Sequence, residues 1–436
     1  MKITLNKILF CLIIFYIIHK INSNNINSNN INSNIEKFET SDNNELNFLS
    51  ERKIVIGSNN GSILIFNLDG SLFKNIKFKN IKFKNNKIKN NKINLLGQVG
   101  DINGMIYLTT DSQVGKILGM PAIYLYYLQN VIPTDHSFQI FNSRGINPTS
   151  INKGIINNNE FLCIPNSKEN KLYNSTALLH NLTTGQEYTI CIQQLLRHVG
   201  LDTEVLKCKE DNFIYDINIH DNKVYILSLA NEIIFSMDIG YKTFENIQIA
   251  YRFNGQLNCF NSQNSLGPKK IVFYYKYAYV LTKNTPYLYV FFNQKGKFNL
   301  IEKINLGNNG DKGGDIKIYT KSITFETFII VSINSNNLQN NCLEIYSLNK
   351  NFGNLILVNK IYTKGYYPNR FYIKSFPSYT LLLVANKYSD LIKKSYGIVI
   401  VCKFQSTDPR QWNVNIGNTI SFQTLDNHIP NLITLI

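Results

Sequence analysis

The sequence holds few of the patterns that mark catalysis or metal binding. Its seven cysteines show no C-x-x-C spacing, which excludes the common zinc and thiol redox motifs. No G-x-S-x-G, H-E-x-x-H or EF-hand loop occurs. Apart from His19 near the N-terminus, the histidines are His136, His180, His198, His220 and His428; scattered in this way, they read as surface or loop residues rather than ligands. No apolar run reaches the roughly 20 residues a membrane-spanning helix needs. Acidic residues are missing from the first 22 positions and from residues 70–100, and the lysines there account for eleven of the sixteen net positive charges. The remaining +5 makes a mildly basic body and argues against a nucleic-acid binder.

Apolar and aromatic residues are plentiful. Hydrophobic residues make up 44% of the chain, with 27 Phe and 26 Tyr, enough for a large core. The start, MKITLNKILFCLIIFYIIHKINS, has the basic flank, short apolar stretch and small polar end of a secretory signal peptide over residues 1–23. Residues 24–45, rich in INSNN repeats, cannot bury enough surface to fold and are expected to form a flexible leader. A single folded domain is expected over 46–436, with a Lys/Asn-rich loop insertion at 74–94. Cleavage would leave six cysteines; an even number in an exported protein permits disulfides, but spacing assigns none. Sequons stand at Asn60, Asn174 and Asn181.

The organising pattern is a repeated hairpin: an apolar strand, a short turn, then a more polar strand. It reads ILIFNLDGSLFKNI, ALLHNLTTGQEYTICI, IIFSMDIGYKTFENIQI, LYVFFNQKGKFNLIEKI, LEIYSLNKNFGNLILVNKI and IVIVCKFQSTDPRQWNVNI. The turns centre on Gly70, Gly185, Gly240, Gly296, Gly353 and Asp408, spaced 55, 56, 57 and 55 residues from Gly185 onward. A degenerate hairpin turning near Pro133 fills the gap between Gly70 and Gly185. A period of this size with about four strands per unit predicts an all-β, seven-bladed β-propeller of four-stranded antiparallel blades. The ring is expected to close by pairing the strand near Val55 with the C-terminal segment VNIGNTISF.

Three blades in the second half carry a resemblance. GPKKIVFYYKYAYVLTKNTPYLYVFF, GGDIKIYTKSITFETFIIVSIN and GYYPNRFYIKSFPSYTLLLVANKYSD are similar to blades of the seven-bladed lactonase propellers, a family that includes 6-phosphogluconolactonases and carboxymuconate-lactonizing enzymes. The resemblance implies a central cleft, and at matched positions this chain departs from it. Lys269 and Lys270 replace an Arg-His pair, Thr282 and Lys283 an Asn-Glu pair, and Lys317 a histidine; Asp315 persists, and Arg370 lies one place along from the family's arginine. No catalytic residue, metal or cofactor is therefore expected, and Lys269, Lys270, Lys283, Asp315, Lys317 and Arg370 are the candidates for a ligand cleft. The Asn/Lys/Ile-rich composition resembles that of secreted proteins of AT-rich intracellular protist parasites.

Two functions follow as expectations. The first is a non-catalytic secreted interaction scaffold in an extracellular or vacuolar lumen, with protein partners such as exported cargo or export machinery. The second is a lactonase-like enzyme or binder that takes anionic sugar acids or lactones in the cleft. Peripheral membrane contact would fall to the basic tract 74–93, which opens at Lys74 and ends at Ile93. GNNGDKGGD, ending at Asp315, lacks the P-loop pattern and reads as an inter-blade turn, and the tyrosines around Tyr277 read as core.

Overall fold

Strands of five to ten residues, rich in Ile, Leu, Val, Phe and Tyr and cut by tight turns, leave little room for helix. The structure, a computed structural model, describes residues 52–58, 62–77, 82–83, 86–87, 105–109, 116–121, 139–170, 175–201, 214–253, 266–308, 311–321, 324–391, 396–415, 418–425 and 428–435. The chain divides into two compact units, Met1–Arg52 and Lys53–Ile436, and every described strand lies in the second. The expected signal peptide and leader lie outside the described residues.

Among the described residues seven sheets of three or more strands follow in chain order, besides the small pair Lys82–Phe83 and Asn86–Lys87. Sheet 1 joins Lys53–Ser58, Ser62–Asn67 and Leu72–Lys77 to Pro430–Leu435 from the far end of the chain. Sheet 2 contains three strands, Met105–Thr109, Lys116–Pro121 and Gln139–Asn142. Sheet 3 contains Asn152–Ile156, Asn159–Asn170, Ser175–Asn181 and Glu187–Ile190, with Ile146–Pro148 added against Asn159–Asn170. Sheet 4 contains Ile214–His220, Lys223–Ser228, Ile233–Ile239 and Phe244–Arg252, and sheet 5 contains Pro268–Tyr274, Tyr277–Thr282, Tyr287–Gln294 and Lys297–Asn305. Sheet 6 contains Lys312–Thr320, Thr327–Asn334, Cys342–Leu348 and Leu355–Tyr362; sheet 7 contains Tyr366–Ser375, Thr380–Tyr388, Ile398–Phe404 and Thr419–Gln423. Sheets 3 to 7 each run antiparallel in chain order. Five of the six sequence-read hairpins form the outer two strands of a sheet; in the sixth, IVIVCKFQSTDPRQWNVNI, only Ile398–Phe404 is a strand, and its outer partner Thr419–Gln423 lies beyond the segment read as the hairpin. Sheet 2 occupies the interval of the degenerate seventh module, whose expected turn at Pro133 lies outside the described residues.

Local chemistry sets the turns. Asn157 and Asn158 (φ 49° and 65°) and Asp221 and Asn222 (φ 48° and 60°) supply the left-handed pairs that a two-residue hairpin demands. Packing then selects which strands are apolar on both sides. Lys53–Ser58 and Tyr277–Thr282 are buried at every position, whereas the outermost strand Lys297–Asn305 buries only Phe298. That contrast arises because sheets stack face to face: one apolar cluster joins sheets 3 and 4 (Ile190, Phe235), the next sheets 4 and 5 (Tyr225, Phe291), then 5 and 6 (Tyr279, Tyr346), 6 and 7 (Phe328, Trp412), and 7 and 1 (Leu383, Ile56). The innermost strands of consecutive sheets, from sheet 3 round to Pro430–Leu435, also lie side by side.

Several expectations need correction or completion. The N-terminal strand does pair with the C-terminus, Val55 opposite Thr434, but the partner is Pro430–Leu435 rather than VNIGNTISF. Within that segment Thr419–Gln423 is instead the outer strand of sheet 7. The basic tract is not all loop: Lys74 lies within the strand Leu72–Lys77, and Lys82–Phe83 pairs with Asn86–Lys87. Cys163, Cys191, Cys342 and Cys402 are buried free thiols, and burial pushes the pKa of Cys402 up to about 11 and that of Cys342 up to about 12. Asn181 is buried and its Oδ1 accepts from the N–H groups of Thr183 and Thr184, leaving no space there for a glycan in this fold.

Candidate functional site

A repeated irregularity builds the centre. Where the innermost strands of sheets 4, 5, 7 and 1 pair with the second strand of their sheet, one extra residue is inserted, Tyr215, Lys269, Asn369 and Asn431 in turn, and in sheet 6 the register shifts between Gly313 and Ile316. Such bulges bend a strand and re-aim its side chains. Just past the inserted residues stand Asp216, Lys270 and Arg370, Asp315 lies within the shift of sheet 6, and Ser150, two residues before the first strand of sheet 3, joins them through its bond to Asp216. The following residues, Ile151, Ile217, Ile271, Ile316, Phe371 and, in sheet 1, Ile433, are all buried. A polar tier thus rests on an apolar floor that fixes its geometry.

The polar tier alternates in charge from Asp216 through Lys270 and Asp315 to Arg370. Asp315 is 1% exposed; its Oδ1 lies 3.6 Å from Lys270 Nζ and 3.5 Å from Arg370 Nη1. Burial alone would raise its pKa, but Lys270, Arg370, Lys317 and Lys269 together hold it below the usual carboxylate value. Asp216 is equally buried and accepts from Ser150 Oγ (3.1 Å) and Asn152 Nδ2 on Oδ1, while Oδ2 has no hydrogen-bond partner. For this carboxyl burial wins, and its pKa is raised despite Lys270, those two bonds and Arg370.

Cations outnumber these two acids. Lys269, the inserted residue, donates to the carbonyls of Gly313 (3.3 Å) and Gly314 (2.7 Å). Burial, followed by repulsion from Arg370, Lys270 and Lys283, brings its pKa down to about 7, against the attraction of Asp315. Lys317 reaches over the rings of Phe371 (5.6 Å) and Tyr372 (5.7 Å), and burial together with Lys270 and Arg370 lowers it to about 8.

A cavity of about 420 Å³ opens here, lined on its charged side by Lys270, Asp315, Lys317 and Arg370. Of the six candidate residues, these four meet in one space. Lys269 flanks it, and Lys283 lines no part of it, acting on Lys269 through its charge alone. The one-place offset of Arg370 is absorbed by the bulge at Asn369, so the guanidinium still reaches Asp315.

Asp216 and His220 are the residues the sequence reading missed. Asp216 was legible: Asp216-Ile217-Asn218-Ile219 repeats Asp315-Ile316-Lys317-Ile318 at the same point of another module. His220, expected at the surface, also lines the cavity, stacked on Phe273 at 4.5 Å with Nε2 against the Tyr275 carbonyl. Four residues along a strand, about 13 Å, separate it from Asp216. The carboxylate beside it is Asp221, at 3.3 Å in the turn, so no imidazole joins the charged tier. Among the described residues no cluster of His, Cys, Asp and Glu could hold a metal ion.

No protein-family model and no curated protein matches the sequence. Solved structures do. The periplasmic gluconolactonase of Pseudomonas aeruginosa superimposes with a TM-score of 0.55 at 12% identity, covering 88% of this chain and 99% of the other. A protein from Lactobacillus plantarum gives 0.54 at 13% identity over 88% and 99%. A candidate 6-phosphogluconolactonase from Bacteroides fragilis gives 0.52 at 13% identity over 89% and 98%. The chain has the β-propeller fold. At these identities the likeness speaks for the propeller, and the chemistry rests on the central tier alone.

Proposed function

We propose that this propeller binds a small anion, of the class of sugar acids and phosphosugars, in its central cavity. One observation carries the reading: four cationic side chains, Lys269, Lys270, Lys317 and Arg370, crowd two buried carboxylates, and burial first, then repulsion from the neighbouring cations, brings two of the lysines down to about 7 and about 8. An anion entering the cavity offsets the repulsion and favours the charged form of both lysines. Asn218, which lines the cavity and gives one amide N–H to the Ile271 carbonyl, keeps a second as a neutral donor for a hydroxyl group. A thermal-shift panel of phosphosugars, sugar acids and lactones tests it. A ligand at 100 times its Kd should add about 2.7 kcal/mol of stability, and no shift across the panel retires the proposal.

A second reading, a secreted interaction scaffold, is favoured by the outermost strand Leu355–Tyr362, which leaves Ile356, Leu357 and Tyr362 exposed on a free sheet edge. Isolation of the native protein with its bound chains tests it; a reproducible monomer without partners counts against it.

A further inference from the structure

The connections between strands 1 and 2, and between strands 3 and 4, of sheets 3 to 7 share the propeller face opposite the charged tier. Bonds from sheet to sheet tie them into one surface: Gln186 Nε2 donates to the Tyr241 carbonyl, Asn157 N to Asn222 Oδ1, and Tyr277 OH to the Asn351 carbonyl. Four large aromatics protrude from this face: Tyr241 (85% exposed), Tyr275 (70%), Phe325 (67%) and Phe352 (66%).

Two of them hold an unfavourable backbone. Tyr275 (φ 48°) and Phe325 (φ 52°) sit in the left-handed region, where the matching turns of sheets 3 and 4 carry Asn or Asp. An aromatic side chain there is disfavoured, and its exposure to water adds nothing to the core. Lysines accompany the tips: Lys242 follows Tyr241, with its Nζ 5.5 Å from the ring, Lys276 follows Tyr275, and Lys350 precedes Phe352 by two positions. Around Phe325 the charges cancel, because Lys321 and Arg410 pair with both Glu326 and Asp408. The other acids beside these tips are Asp221, which lies 3.3 Å from His220, and Glu245, against Lys242, Lys276, Lys295 and Lys350.

We propose that this face docks on an anionic lipid surface, the aromatic tips entering the headgroup region and the lysines meeting lipid phosphates and carboxylates. Separate aromatic tips, three of the four with a lysine beside them, suit an interface that is apolar at depth and negative at its surface. A protein groove would call for one continuous apolar patch instead.

Sedimentation of the full chain with phosphatidylcholine vesicles, with and without phosphatidylserine, tests this. The wild type should pellet with the anionic vesicles and be released by salt. A variant combining Tyr241→Ser, Tyr275→Asn, Phe325→Asn and Phe352→Ser should lose about tenfold in vesicle affinity. Its melting temperature should not fall, since Asn tolerates the left-handed region that Tyr and Phe do not. Equal pelleting of the variant, or none by the wild type, would overturn the proposal. So would retention on polyglutamate without vesicle binding, which would give the face to an acidic protein.

Discussion

At the residue scale, the buried Asp315 carboxylate is the keystone of the central tier, because its negative charge is tolerable only between Lys270 and Arg370. Replacing Arg370 by Met leaves one partner at 3.6 Å and is expected to cost about 2–3 kcal/mol in urea unfolding. A loss below about 0.5 kcal/mol would mean the pairing contributes little. Lys269 and Lys317 give the site a pH dependence of known sign. Their folded pKa values, about 7 and about 8, lie below the ordinary 10.5. Charging them therefore costs stability in full below those values, and the cost is relieved as pH rises from them towards 10.5. A bound anion raises both values, so binding takes up protons. Affinity for a phosphosugar is expected to fall by on the order of tenfold between pH 6.5 and pH 9, followed by calorimetry. A flat or rising profile would contradict the assignment.

At the element scale, the hairpin turns differ in what they require of glycine. Gly353 (φ 73°) presses against the Tyr277 ring, which an added Cβ would meet at 2.3 Å, whereas Gly185 (φ 74°) faces nothing within 4 Å. Gly185→Ala should cost only the backbone penalty of about 1 kcal/mol. Gly353→Ala should cost clearly more, about 2–3 kcal/mol, because a buried ring must also shift. Equal losses in chemical denaturation would show that the turn packs less tightly than described. Turns and strands of this kind were readable from sequence because Gly, Asn and Asp mark backbone states that few residues adopt. The bulges were not, since an inserted residue such as Asn369 leaves composition unchanged and shows only against a partner strand. The closing strand was misplaced for a related reason. VNIGNTISF and NLITLI both read as strands, and the choice depends on a long excursion in which Trp412 stacks on Phe404 at 5.0 Å before sheet 7 takes its fourth strand. Asp216 needed no pairing information, only the alignment of one module on another.

At the scale of the whole molecule, closure joins the two ends of the folded unit, and the strand that closes it also supplies Ile433 to the floor of the cavity. Removing residues 430–436 exposes the edge of Lys53–Ser58, a fully buried apolar strand, and should abolish cooperative unfolding and promote aggregation. A soluble truncated chain with an unchanged melting temperature would show that closure lies elsewhere. The repeat made the ring legible in the sequence, and its lysines were legible one by one. Their meeting with Asp315 in one cleft was legible through the resemblance; the bulges that turn them there, and the place of Lys283 outside the cavity, were not, because both depend on how strands pair. The most direct measurement of the central claim is a calorimetric titration of a phosphorylated sugar acid into the wild type and into Lys317→Met at pH 6.5. Saturable one-to-one binding, at least about tenfold weaker in the variant, is the predicted result. Absence of saturable heat in the wild type, or identical affinity in the two proteins, would contradict it.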